Sequence, residues 1–98
     1  MSENYIQYAE GYNKDNIDFT DIEKAINEIQ KTDDEHGTFW VTVIKEDENV
    51  IETDKNLNLA LVFDGNQINY KAKDWSEVKE LYKLLLDGNF NTIKQRIK

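Results

Sequence analysis

At 98 residues the chain has the length of one domain, and 39% hydrophobic with 33% charged residues suits one modest folded core rather than a disordered tail. Cysteine and proline are both absent, which excludes disulfide scaffolds, thiolate metal sites, cysteine nucleophiles and thiol redox chemistry. Acids outnumber bases 20 to 12, for a net charge of -8.

Residues 1–54 hold fifteen acids against four bases, a balance of −11, and residues 55–98 hold five against eight, a balance of +3. The first half repels phosphates, so direct nucleic-acid binding is not expected, whereas a basic protein would be drawn in. No run of about 18 apolar residues is present to cross a membrane. Met1-Ser2-Glu3-Asn4 lacks the basic and apolar regions of a signal peptide, so the expected compartment is the cytoplasm. Without repeats, linkers or low-complexity stretches, residues 1–98 read as a single domain.

In chain order, Asn4–Tyr12 is aromatic and broken at Gly11, and reads as an edge strand ended by the Asn13–Asn16 cluster. A helix follows. Asp18 is its candidate N-cap, with Ile17 and Ile22 placed as a hydrophobic staple, and Thr20 with Glu23 offers an alternative start two residues on. Ile22, Ala25, Ile26 and Ile29 then recur at i, i+3, i+4 and i+7, one apolar stripe.

The middle of the chain reads as strands. Over Thr38–Lys45, Phe39, Val41 and Val43 alternate with Trp40, Thr42 and Ile44, so both faces are partly apolar. Glu46-Asp47-Glu48-Asn49 reads as a turn, Val50–Thr53 as a short strand, and Asp54-Lys55-Asn56 as a second turn. Leu57, Leu59, Leu61 and Phe63 alternate with Asn58, Ala60 and Val62. Asp64-Gly65-Asn66 makes a tight turn, and Ile68, Tyr70 and Ala72 carry the inner face onward. Asp74 with Glu77 opens a second helix striped by Val78, Leu81, Tyr82 and Leu85 and stopped at Gly88. A short last helix puts Phe90, Ile93 and Ile97 on one side.

The expected fold is therefore α+β: an antiparallel meander sheet of four to five strands with two or three helices packed on one face, in the order β-α-β-β-β-β-α-α. Phe39, Val41, Leu59, Leu61 and Phe63 would face the helices. Trp40, Ile44, Ala60 and Val62 would face outward, where they are either covered by the N-terminal segment or offered to a partner.

Catalytic equipment is sparse. The one histidine, His36, follows Asp33-Asp34-Glu35, but no cysteine accompanies it, and the two serines, Ser2 and Ser76, lie at the terminus and at a helix start. Neither acidic segment has the alternating ligand spacing of a calcium loop, and the four glycines form no phosphate cradle. The expectation is no enzyme, no cofactor and no metal.

The aromatic first segment ending at Gly11, the helix start Phe19-Thr20-Asp21-Ile22-Glu23-Lys24-Ala25-Ile26, the Phe39-Trp40 strand, the turn at Asp64-Gly65-Asn66 and the tail Leu85-Leu86-Asp87-Gly88-Asn89-Phe90 together resemble small acidic immunity proteins of bacterial polymorphic-toxin and contact-dependent inhibition systems. The chain departs from that pattern in having Asn89-Phe90, and no proline, where such sequences often carry proline and tryptophan after the glycine. The resemblance implies a non-enzymatic inhibitor that binds a cognate toxin, often a basic nuclease, through an acidic surface.

Asp33, Asp34 and Glu35 precede the Thr38–Lys45 strand and Glu46, Asp47 and Glu48 follow it, bracketing Trp40 as an apolar anchor. These seven are the candidate partner-binding residues, and a basic protein is the expected partner. The alternatives from the residues alone are a small cytoplasmic adaptor, a homodimer formed through the outer sheet face, or an acidic mimic of DNA.

Overall fold

The computed structural model describes residues 3–8, 13–31, 37–45, 47–63 and 65–97. The chain is α+β, with a six-stranded, wholly antiparallel sheet and three helices. The elements are β1 (Glu3–Gln7), β2 (Asn13–Asp15), α1 (Phe19–Lys31), β3 (Thr38–Lys45), β4 (Asp47–Asp54), β5 (Asn58–Phe63), β6 (Asn66–Lys71), α2 (Trp75–Leu86) and α3 (Phe90–Arg96). Strand order is β2-β1-β3-β4-β5-β6. Strands β3 to β6 form the expected meander. A β1–β2 hairpin precedes them, and α1 carries the chain from β2 past β1 to β3.

The register sorts every strand residue to one of two faces. Ile6, Val41, Ile51 and Leu61 stand side by side, as do Phe39, Thr53 and Leu59. All are buried, and they meet the buried stripes Ile22, Ala25, Ile26, Ile29 of α1 and Val78, Leu81, Tyr82, Leu85 of α2. Phe39 and Tyr82 stack at a centroid separation of 5.4 Å, and Phe63 meets Phe90 of α3 at 6.0 Å. The helices therefore cover the face that carries Phe39, Val41, Leu59, Leu61 and Phe63, as the alternation requires.

Local chemistry fixes the helix ends. The Asp21 amide donates to Asp18 Oδ1 at 3.3 Å while the Asp18 amide donates to Asp21 Oδ2 at 3.0 Å, a reciprocal capping box that settles the start of α1 at Asp18 rather than Thr20. Lys14 pairs with Asp21 at 2.8 Å and holds its carboxyl below the ordinary range. Asp74 caps α2 by accepting from the Glu77 amide at 2.9 Å. At the other end Gly88 (φ +78°) donates to the Leu85 carbonyl and Asn89 to that of Leu84, the paired bonds of a Schellman stop that a left-handed residue permits.

Three expectations are corrected. The sheet has six strands rather than four or five, because Asn13-Lys14-Asp15 is strand β2 rather than a break. Those residues favour turns, but β1 offers them a ladder, and Asn4 anchors the exit by accepting from the amides of Ile17 (2.8 Å) and Asn16 (3.0 Å). The N-terminal strand is consequently an interior one, between β2 and β3. Finally, Asp47, Glu48 and Asn49 belong to β4, opposite Lys45, Ile44 and Val43. The ladder outweighs their low strand propensity, and Asn49 is buried with its amide donated to the Val43 carbonyl at 3.2 Å.

Candidate functional site

The outer face of the sheet carries two cross-strand rows. One runs Gln7, Trp40, Glu52, Ala60, Asn69, and the next runs Tyr5, Thr42, Val50, Val62, Gln67. Ile44 and Glu48 stand opposite each other beyond the second row. Trp40, Ile44, Val50, Ala60, Val62 and Tyr5 are half-buried and Thr42 is fully buried by its neighbours. An antiparallel sheet whose second face is simply solvated alternates cleanly between apolar and polar. This face departs from that rule at its centre, where an aromatic and aliphatic strip stands in the middle of the sheet.

No described element lies over this strip. The N-terminal strand joins the sheet edge-on to β3, with Gln7 opposite Trp40, rather than folding across the indole. Of the two fates foreseen for Trp40, cover by the described N-terminal strand is therefore excluded.

The outer face is net acidic among its described strand residues, whereas the helices behind it carry acids and bases in near balance. Among the outer-face strand residues whose side chains are described, the acids are Asp15, Glu48, Glu52 and Asp54 and the base is Lys71. Lys79, Lys83, Lys94 and Arg96 lie on α2 and α3, behind the sheet. Arg96 pairs with Glu80, which raises its pKa further above the usual guanidinium value. These four bases thus lie off the outer face. Glu48 is exposed and accepts from the Tyr5 hydroxyl at 3.4 Å, so the phenol orients it at the rim of the strip.

The Asp54 carboxylate has a structural task. Its Oδ1 accepts from the amides of Asn56 (2.8 Å) and Asn58 (3.0 Å) and its Oδ2 from the Asn58 side chain (3.0 Å), which shapes the β4–β5 turn and holds Leu57 at φ +69°. Beside that turn the face is dished, with a concavity of about 500 Å³ lined by Thr38, Glu52, Asn58, Ala60, Asn69 and Lys71.

Of the candidate binding residues, Trp40 and Glu48 share this face, four strand positions apart in register. Asp47 lies in β4, and Asp33, Asp34, Glu35 and Glu46 lie outside the described residues, as does His36. The sequence reading missed Glu52, which stands directly opposite Trp40. The signal was present in Val50-Ile51-Glu52-Thr53, where burial of Ile51 and Thr53 puts Glu52 outward.

Among the described residues no group of three or more histidine, aspartate or glutamate side chains is placed to hold a metal ion, and no helix is long and apolar enough to cross a membrane. Comparison with known protein families, with characterised proteins and with solved structures finds no match.

Proposed function

We propose that this chain is a non-enzymatic cytoplasmic binding domain that docks a basic protein on the outer face of its sheet. The observation that carries this reading is Trp40 and its apolar neighbours lying uncovered at the centre of a face that holds Glu52 beside the indole and Glu48 at the rim. Central aromatics with a charged rim are the usual anatomy of a protein-binding patch: the ring supplies desolvated contact and the rim steers the encounter. Face-to-face self-association would bring like-charged rims together, so a partner of opposite charge fits better. A DNA mimic would not need the apolar centre. Among basic partners, the sequence resemblance to immunity proteins favours a toxin, a basic nuclease in particular.

The test is capture from a host extract at low and high salt, identification of the bound protein, and kinetics of that protein on outer-face variants. The expected result is a basic protein released by salt and weakened by Trp40→Ala and by Glu48→Gln with Glu52→Gln. A captured protein that binds these folded variants as tightly as the parent would overturn the reading. Protection of cells expressing the captured protein, conferred by the parent and lost in the variants, is the expected outcome for a toxin.

A further inference from the structure

The two edges of the sheet are unlike. Strand β2 is three residues long and wholly polar, a common way of blunting an edge. Strand β6 is twice that length, carries no proline, and has Lys71 as its only charged residue. It also holds Ile68, at 36% exposure the large hydrophobic residue left in solvent among those described. Six strands span about 24 Å, more than the roughly 20 Å that the two longer helices cover side by side. Ile68 sits on the helix-facing side, paired with Leu61, on the edge strand of the sheet.

The β5–β6 connection fixes which backbone groups point outward. Phe63 and Asn66 pair across a two-residue turn, with Gly65 at φ +78°, so they form the closing hydrogen-bonded pair. Alternation then turns the N–H and C=O of Ile68 and Tyr70 toward β5 and those of Gln67, Asn69 and Lys71 toward the open edge.

We propose that β6 is a self-association edge that pairs antiparallel with β6 of a second copy about a twofold axis at Asn69. In this register Asn69 faces Asn69 of the partner, and Gln67 faces the partner's Lys71 on either side. All three outward residues thus exchange paired bonds. The intervening non-bonded positions bring Ile68 against the partner's Tyr70, a β-branched residue beside an aromatic one, and that closes over the exposed side chain. Tyr70 is held in place by its hydroxyl bond to Glu77 Oε2 at 2.8 Å. Shifting the register by one pair, so that Ile68 faces Ile68, loses one of the three bonded pairs.

The occupant is a second copy because the strand complements itself and brings no acids together. The acid-bearing β4 strands of the two copies would stand about 24 Å apart, so their repulsion acts only at low ionic strength and is screened once added salt brings the Debye length to about 8 Å. A twofold axis normal to the sheet keeps both outer faces on the same side, so the pair would present two docking surfaces in one plane. Salt would strengthen this association while weakening capture of a basic partner.

The test is sedimentation equilibrium over a concentration series, with and without added salt. The parent is expected to show reversible dimerisation that salt favours. Asn69→Pro removes an outward N–H and no β5–β6 bond, so a folded variant should lose at least about tenfold in association constant. Because the chain has no cysteine, Asn69→Cys provides a second arm. Its two Cα atoms would lie about 5.5 Å apart, within bridging range, and mild oxidation should link the copies. Ala60→Cys, at the centre of the outer face, should not link them. Monomer mass throughout the series, an unchanged dimer in folded Asn69→Pro, or linkage of Ala60→Cys in place of Asn69→Cys would each overturn the proposal. Should Asn69→Pro fail to fold, the two cysteine variants decide.

Discussion

The hydroxyl of Thr53 lies 2.6 Å from that of Tyr82 in the fully buried layer between β4 and α2. Tyr82 has one proton, which it donates to the Ile51 carbonyl at 3.0 Å, so the Thr53 hydroxyl is the donor in the shorter bond. Burial pushes the phenol far above its ordinary pKa, and it stays protonated wherever the fold persists. This chain of bonds pins the second helix to the centre of the sheet.

Tyr82→Phe should therefore cost about 1–3 kcal/mol, because it strands the Thr53 hydroxyl and takes one partner from the Ile51 carbonyl in a fully buried site. Thr53→Val should cost less, since Tyr82 keeps its bond to Ile51. The double variant should be less destabilised than the two single losses combined. Urea melts of all four proteins check this; strict additivity would show that the two hydroxyls are not coupled.

Leu61→Ala removes a fully buried side chain from β5, in the row with Ile6, Val41 and Ile51. The loss of contacts and the cavity left behind should cost about 2–5 kcal/mol. A loss under about 0.5 kcal/mol in a urea melt would be incompatible with a core position there.

Asp21 links stability to pH. Its hydrogen bond from Lys14, with that from the Asp18 amide, lowers its pKa in the folded chain relative to the unfolded one. A lowered carboxyl stabilises the fold above the unfolded value of about 3.9, and the contribution is lost as pH falls through the folded value. Asp21→Asn keeps an oxygen for the cap but loses the charge. It should be destabilising by about 1 kcal/mol near neutral pH, and the gap should close in strong acid. Thermal melts across pH measure it; a gap constant down to pH about 2 would contradict the linkage.

The parts of the fold that were legible in the residues are those written in local chemistry. Asp18 and Asp74 announce their helices because a cap bond spans only three residues, and Gly65 and Gly88 mark turns that require a positive φ. Strand β2 was not legible because nothing in Asn13-Lys14-Asp15 favours a strand; it exists because β1 and Asn4 bind it from a distance. The same holds for Asp47–Asn49, whose acidic character suits a turn until the ladder with β3 takes them. At the candidate site, Trp40 stood out by type and by alternation. Glu52 did not, because its meaning comes from the residue opposite it in another strand.

That opposition yields the last prediction. Trp40 and Glu52 are neighbours across β3 and β4, yet in a docked complex they would act on different rates. The indole presents a large apolar surface at the centre of the face, where contact excludes water and holds the complex together. Its truncation should chiefly speed dissociation. Glu48 stands at the rim of the strip and Glu52 within it, and the charge of both carboxylates acts over distance before contact, so Glu48→Gln with Glu52→Gln should chiefly slow association and flatten its dependence on salt. Neither change touches the inner core, and the melting temperature of each variant should stay close to the parent's. Surface-plasmon kinetics on the captured partner separate the two effects. An association rate unchanged at low salt in the double variant would remove steering from the account, and a dissociation rate unchanged in Trp40→Ala would remove the indole from the interface.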